Sequence, residues 1–438
     1  MLNKILNTFV TRVLSMLIMF VVVIINTNTF GAEGTGTLAL FILGLTLLQV
    51  FSNFVGGSTL VYLTPQKDNY QLLILSYAWA TFSNLAGLGI LYLCNLIPKE
   101  FTIQLLITTF IYSIYYIHIS IMQGKEDIKI FNINQLSQVV LLILSLTGAL
   151  LYCKAQQIVP TIDLYVYAYM FSYLLPTIAT CFYIAKRVRR TTMEGAGKLL
   201  GEMFKLGFWT QLANLTQLLT YRLNYYIIEG FLGRKSLGIY ELGTRLSEAV
   251  WVFPKSICLV QYARISNNHE DAYAKRITLG LLKIVFVFSL LAVLVLLALP
   301  ASFIAWIFGP EFAQSKPVIC SLLPGIVFLS CMSILSHHFA GYGRYWINAI
   351  GSIIGLVVTA ALGFTLIPHL AQSNTMLALQ TAGWISSCAY FASLVFSLIC
   401  FFKLTDVQWR EFLITREDCR QAKQIIREEI EKHKNRKK

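Results

Sequence analysis

Six ionisable residues lie inside two apolar stretches near the middle of the chain. Residues 208–232 carry Arg222 and Glu229, and residues 238–260 carry Glu241, Arg245, Glu248 and Lys255. Hydrocarbon does not tolerate such groups, so they must face water, a substrate path or each other. At about 100° per residue, Glu241, Arg245, Glu248 and Lys255 fall within an arc of about 80°, a single stripe along one helix. On the preceding stretch Gln211, Arg222 and Glu229 share a face, and Asn214, Gln217, Tyr221 and Asn224 make a second polar face. That leaves little surface suited to lipid and predicts a helix bordering a hydrated interior, with Gln211, Asn214 and Asn224 as further cavity candidates.

Two kinds of chemistry fit these residues. Arginine presents a planar fork that gives phosphate two parallel hydrogen bonds, and lysine adds a compact charge, so the stripe suits an anionic head group. The charges also balance, with Arg222, Arg245 and Lys255 against Glu229, Glu241 and Glu248. Arg245 can pair with Glu241 or Glu248 on its own helix, so the same stripe could brace a bundle. Both readings stay open on the residues alone.

Other polar residues favour packing. His337 and His338, and His118 in an earlier stretch, could relay protons but read more simply as hydrogen-bonded core histidines. Asn53, Asn84 and Asn348 can bond between helices, and Gly56, Gly57, Gly351, Gly355 and Gly363 allow backbones to approach. The nine cysteines contain no CxxC pair, and most sit in apolar segments as small packing residues. Cys94 and Cys153 fall near span ends where a bridge could form. The sequence has no HExxH, P-loop or nucleophile elbow and no metal-ligand cluster, so it is not read as an enzyme, and no cofactor or metal is expected.

The chain has 438 residues, of which 56% are hydrophobic and only 13% charged, and its mean hydropathy is +0.65. Soluble domains carry about 25% charged residues. The composition therefore predicts an all-α polytopic membrane protein. The net charge of +14 does not point to nucleic acid, because the basic residues gather in alternate loops and at the C-terminus. Spans need about 20 mostly apolar residues. Twelve such stretches can be drawn, at 8–30, 37–63, 71–96, 101–122, 129–152, 163–185, 206–231, 237–262, 278–300, 317–341, 345–367 and 376–402. The first is too long for a signal-peptide core and is followed by Asn26, Asn28 and Glu33 rather than a cleavage site, so it reads as a retained helix. With both termini cytoplasmic, one side receives Lys67, Lys125, Lys129, the cluster Lys186, Arg187, Arg189 and Arg190, and most of the remaining basic residues. Trp306 and Trp346 suit interfacial anchors.

The basic, mildly amphipathic segment 187–205 reads as a cytoplasmic surface linker between two six-helix halves, 1–186 and 206–402. Gly36 and Gly238 each open a helix after a short glycine-containing loop, a weak internal echo. Two halves of six helices would share an orientation and be related by an axis along the membrane normal. Residues 403–438 form a hydrophilic basic tail, in which Thr415 and Asp418 make a capping-box signal for a surface helix.

Several runs resemble a known family. GRKSLGIYELGTRLSEAVWVFPKSI at 233–257 is similar to the hallmark of polysaccharide flippases, the O-antigen flippase (Wzx-type) branch of the multidrug/oligosaccharidyl-lipid/polysaccharide (MOP, MATE-like) exporter superfamily. FGPEF at 308–312, residues 322–368 and FGAEGTGTLALF at 30–41 resemble that family's loops and helices. Two departures stand out: Ser373-Asn374-Thr375-Met376 replaces a usual Gly-Ala-Ala, and Arg12 is the sole strong cavity charge in the first half. The resemblance implies about twelve transmembrane helices in two six-helix lobes around a central cavity. It implies alternating-access movement of an undecaprenyl-diphosphate-linked oligosaccharide to the outer leaflet of a bacterial cytoplasmic membrane, for O-antigen, lipopolysaccharide or capsule. Its partners would be the bilayer, the lipid-linked glycan and other polysaccharide-assembly proteins.

Two rivals are an ion-coupled multidrug exporter of the same superfamily and a membrane polysaccharide polymerase or ligase. The first expects an acidic coupling site in a first-half helix, where buried acids are scarce, and the second expects a long catalytic outer loop, where the longest here is about ten residues. Because the tail is too polar to join the bundle, deleting residues 415–438 is expected to leave transport largely intact. Loss of transport at normal membrane abundance would contradict that.

Overall fold

The computed structural model describes residues 2–267 and 270–412, and every element among them is helical. The helices are α1 (Leu2–Ser52), α2 (Gly57–Leu63), α3 (Asn69–Leu93), α4 (Thr102–Gly124), α5 (Ile128–Ala155), α6 (Ile162–Arg187), α7 (Ala196–Glu248), α8 (Val252–Asn267), α9 (Asp271–Ala298), α10 (Ala301–Phe308), α11 (Ser315–Gly341), α12 (Tyr345–Ala371) and α13 (Thr375–Thr405). Among the described residues, nine helical segments are long and apolar enough to cross a membrane. α7 is not among them. Gln211, Asn214, Gln217, Arg222, Asn224, Glu229 and Glu241 dilute its hydropathy. The expected tail helix beyond residue 412 lies outside the described residues.

The breaks expected near residues 31–34 and 233–236 are present but short: within α1 and within α7 two helices meet at a single non-helical glycine, Gly31 at φ 64° and Gly233 at φ 81°. A positive φ is cheap only without a Cβ, so one residue turns each helix and no connecting chain is needed. The eighth expected span, 237–262, is also broken, because a 3-10 turn at Ala249–Trp251 separates α7 from α8.

The chain divides into two compact units. The first comprises Met1–Leu242, Ala301–Lys316 and Ile367–Leu379. In it α5 packs on α6 and α1, and α4 on α6 and α3. Leu60, Leu63, Leu72, Ile121 and Met203 are almost wholly buried in one apolar cluster. Around that cluster Phe54 stacks with Phe51 and with Phe204, and the Trp79 indole donates to the Phe51 carbonyl at 3.0 Å. A Cβ at Gly207 would lie 1.9 Å from the Phe54 carbonyl oxygen, so the start of α7 lies directly on the end of α1.

Five residues after its bend, each kinked helix presents a glycine to the other. A Cβ on Gly36 would lie 2.0 Å from the Arg234 oxygen, and one on Gly238 would lie 1.8 Å from the Ala32 oxygen. The same interval separates Gly31 from Gly233 and Gly36 from Gly238, so the sequence echo corresponds to a reciprocal backbone crossing.

The second unit comprises Gly243–Pro300, Pro317–Leu366 and Gln380–Lys438. Here α11 and α13 cross on small residues at i, i+4 spacing, Ser321 and Gly325 against Gly383 and Ser387. The Ser387 hydroxyl donates to the Ser321 carbonyl at 2.7 Å and accepts from the Gly325 N–H at 3.1 Å. Lys275 holds the chain beyond α13, donating to Glu411 at 2.9 Å and to the Asp406 carbonyl at 3.3 Å. The Gln408 N–H and Lys275 together keep the Glu411 carboxyl below its ordinary range. Trp306 and Trp346 are both exposed, as membrane-interface anchors should be.

Because the atoms facing Gly36 and Gly238 are backbone, Gly36→Ala and Gly238→Ala should each cost about 1–3 kcal/mol from overpacking. Gly148→Ala in α5 meets nothing within 4 Å and should be neutral or slightly stabilising. Thermal unfolding of the three purified variants checks this, and equal Tm shifts for all three would contradict the crossing.

Candidate functional site

The residues singled out by the sequence divide between the units. Arg12, Gln211, Asn214, Arg222, Asn224, Glu229 and Glu241 belong to the first, and Arg245, Glu248 and Lys255 to the second. In the first unit, Tyr225 links two of the charges. Its hydroxyl donates to the Glu241 carboxylate, and the Arg222 guanidinium lies 5.1 Å from the centre of its ring. Glu241 and Asn224 are buried, Arg222 and Glu229 are half-buried and Arg12 is exposed. Glu229 approaches Arg234 at 3.9 Å.

In the second unit, Arg245 and Glu248 are half-buried and Lys255 is exposed. The Lys255 ammonium sits 3.8 Å from the centre of the Trp251 ring system, and the Trp251 indole donates to Ser333 at 2.7 Å. The 3-10 turn advances the chain by about 120° per residue rather than 100°, which turns Lys255 by about 60° relative to a uniform helix. On ideal geometry that rotation would put Lys255 between Arg245 and Glu248 around the helix axis.

The first unit contains an uncharged cavity of about 300 Å³. Gln211 and Asn214 of α7 line it, with Gln49 of α1, Asn53 just beyond the end of α1, and Tyr112 and Tyr116 of α4. A second cavity of about 180 Å³ shares Tyr112 and Tyr116 and adds Tyr115, Tyr173, Gln135 and Gln138. Of these residues, only Gln211 and Asn214 were expected from the helix-7 pattern to line a cavity. The tyrosines were legible as a run, 112, 115 and 116 on one helix and 165, 169 and 173 at i, i+4 spacing on another. Mid-span phenols need partners in hydrocarbon, which is the signal that could have found them. Asn53 also does more than packing, since it both lines the cavity and accepts from Gln49 at 2.9 Å.

At the bends a set of ion pairs surrounds the glycine crossing. Glu311, in the 3-10 turn Pro310–Gln314, accepts from the Ala32 N–H at 2.9 Å and from Lys235 at 2.6 Å. Ala32 is the first residue after the Gly31 bend, so a carboxylate caps the second arm of α1 and meets the positive end of its dipole. Glu100, in the 3-10 turn Lys99–Phe101, pairs with Arg234, the first residue after the Gly233 bend. Each bend is therefore followed by a residue that a 3-10 carboxylate holds.

The histidines are packed. His118 bonds Thr180 at 2.8 Å and Tyr77, and His338 bonds Thr278 at 2.9 Å, which also accepts from Gln261 at 3.1 Å. His337 donates to the Ser333 carbonyl at 2.8 Å. Asn348 donates to the Ser336 carbonyl at 2.9 Å, and Asn84 to Ser113 at 3.1 Å. Cys94 and Cys153 are free thiols.

No protein-family model and no curated protein matches the chain. Solved structures do. A lipid II flippase MurJ in an inward closed conformation superposes with a TM-score of 0.70 at 15% identity, over 94% of this chain and 89% of that one. The chain has the MATE/MurJ fold. An inward-facing multidrug resistance MATE family transporter of the MOP superfamily gives 0.69 at 14% identity, over 89% and 93%. A MOP superfamily transporter from Pyrococcus furiosus, described as having a binding pocket of reverse polarity, gives 0.63 at 16% over 92% and 94%. The structures matched are of transporters and a flippase, not of enzymes.

Glu311 serves both an ion pair and a helix N-terminus, whereas Lys235 serves the ion pair alone. Glu311→Gln should therefore lower stability by about 1 kcal/mol. Lys235→Gln should stay within about 0.5 kcal/mol, since both side chains are well exposed. Thermal unfolding at low salt checks the order, and a larger loss for Lys235→Gln would contradict the capping role.

Proposed function

We propose that the chain is a flippase that moves an undecaprenyl-diphosphate-linked oligosaccharide from the inner to the outer leaflet of a bacterial cytoplasmic membrane, for O-antigen or capsule assembly. Two six-helix lobes, 1–186 and 206–402, joined by the linker 187–205 and with both termini cytoplasmic, rock about a central cavity in this reading. The observation that carries it is the set of cations on α7 and α8, Arg222, Arg245 and Lys255, in a chain whose fold is shared with a lipid II flippase.

A lipid-linked glycan has an apolar tail that can stay in the bilayer, a diphosphate and a sugar. The diphosphate carries roughly two negative charges, and taking it out of water is costly unless cations and hydrogen-bond donors replace the water. Arg222, Arg245 and Lys255 supply that chemistry. A membrane potential negative inside also favours outward movement of negative charge, by about 2.3 kcal/mol per charge at 100 mV. Ion-coupled drug export draws less support. Among the described residues Glu241 is the one buried carboxylate, and it already accepts from Tyr225.

Purified protein in proteoliposomes should carry an undecaprenyl-diphosphate-linked glycan to the opposite leaflet, read by access of a soluble lectin. No protein-dependent transfer would overturn the reading. Within that assay Arg245→Gln and Lys255→Gln should reduce transfer at least tenfold with little loss of folded protein. If Arg245 only balances Glu241 and Glu248, changing all three to glutamine would restore full transfer, and that result would remove Arg245 from the phosphate site.

A further inference from the structure

The two cavities of the first unit are built for a ligand with no charge and many hydroxyls. Four carboxamides, Gln49, Asn53, Gln211 and Asn214, converge on the larger one with two phenol rings, Tyr112 and Tyr116. No acid or base lines either cavity. Its volume of about 300 Å³ lies at the lower end of ligand pockets, roughly 300–1,000 Å³. The adjoining 180 Å³ continues past the same two rings.

The carboxamides are held in place from behind. Asn84 donates to Ser113 at 3.1 Å, Ser113 to the Gln49 oxygen at 3.3 Å, and the Gln49 amide to Asn53 at 2.9 Å. On the opposite wall Asn214 donates to Gln211 at 3.2 Å. Each carboxamide has two donor hydrogens and two acceptor lone pairs, so these bonds leave capacity on every one.

The lining selects among occupants by exclusion. A cation would find no carboxylate, and an anion no basic group. An apolar drug would strip water from four carboxamides without replacing it, at about 1–3 kcal/mol each. A neutral sugar matches both features. Its hydroxyls or acetamido groups donate to and accept from carboxamides, and its apolar ring faces lie on the phenols.

We infer that the Tyr112/Tyr116 cavity between α1, α4 and α7 binds neutral hexose or acetamidohexose units of the transported lipid, and excludes uronic acids. This rests on the flippase reading above and assigns the sugar to a lining that includes none of Arg222, Arg245 and Lys255. Tyr112 and Tyr116 form the stacking platform. Gln49, Asn53, Gln211 and Asn214 read the hydroxyls.

The test uses the full-length protein in nanodiscs with four probes. These are undecaprenyl diphosphate, the same lipid carrying a neutral N-acetylhexosamine–hexose disaccharide, the same lipid carrying a hexuronic-acid disaccharide, and the free neutral disaccharide. The wild type should bind the neutral glycolipid at least tenfold more tightly than either other lipid. Gln211→Leu and the solvent-exposed Asn214→Leu should each lose about tenfold of that affinity, one hydrogen bond's worth, with bare-lipid affinity unchanged. Asn214→Leu is the safeguard against misfolding, and Tm verifies both variants. Equal binding of the bare and neutral lipids, tighter binding of the uronic lipid, or parallel loss for all lipids in the variants would overturn the sugar pocket. If no lipid binds, the flippase reading falls, and the free disaccharide then decides the pocket. Millimolar binding that disappears in Gln211→Leu retains it, and no binding overturns it.

Discussion

A polar group on a helix that crosses a bilayer must be given water or a partner, and this requirement organises the chain around α7. Its side chains alternate between apolar residues and carboxamides, phenols or charges along nearly its whole length. Such a helix cannot stand in lipid on all sides. It is seated at one end by Gly207 against the Phe54 carbonyl and near the Gly233 bend by Gly238 against Ala32. Along its length Gln211 and Asn214 find a cavity, and Tyr225 finds Glu241. The glycines are therefore not incidental. They let the backbones approach closely enough for the polar face to be enclosed rather than left in hydrocarbon.

The same requirement explains the chemistry at the bends. Turning a helix frees backbone groups, and Glu311 takes up the Ala32 N–H while Lys235 balances its charge. Glu100 and Arg234 stand in the corresponding place after the other bend. A carboxylate from a 3-10 turn thus follows each glycine bend, which is how two dissimilar sequences can support related geometry. The resemblance between the two bends lies in backbone conformation and in where a counter-charge is needed.

Much of the fold was legible because membrane helices announce themselves by hydropathy. Spans such as 129–152 and 376–402 correspond to α5 and α13 with small end shifts. A glycine cluster signals a break, and sequence alone does not say that one positive φ is enough to make it. The 3-10 turn at Ala249–Trp251 left no compositional mark, since Ala-Val-Trp is compatible with an ordinary helix. At the site, Gln211 and Asn214 were visible because carboxamides are rare on an apolar helix. Tyr112 and Tyr116 were not, because tyrosine is also an interfacial and packing residue. Gln49 lay alone in an apolar run, and its role depends on Ser113 and Asn53, which only the tertiary structure brings to it.

The central claim is that the carboxamide face of α7 is wet while its other face meets lipid. Cysteine accessibility measures this directly. In a cysteine-free background, single cysteines at positions 211, 214, 209 and 212 would be treated in intact membranes with a charged, membrane-impermeant thiol reagent. Gln211→Cys and Asn214→Cys line the cavity and should react, the buried 211 more slowly than the exposed 214, with protection by a bulky polar occupant. Trp209 and Leu212 are exposed apolar positions on the other face of α7, and Trp209→Cys and Leu212→Cys should stay unreactive if that face meets lipid, which keeps the thiolate from forming. Rapid labelling at 209 and 212 with none at 211 and 214 would contradict the account.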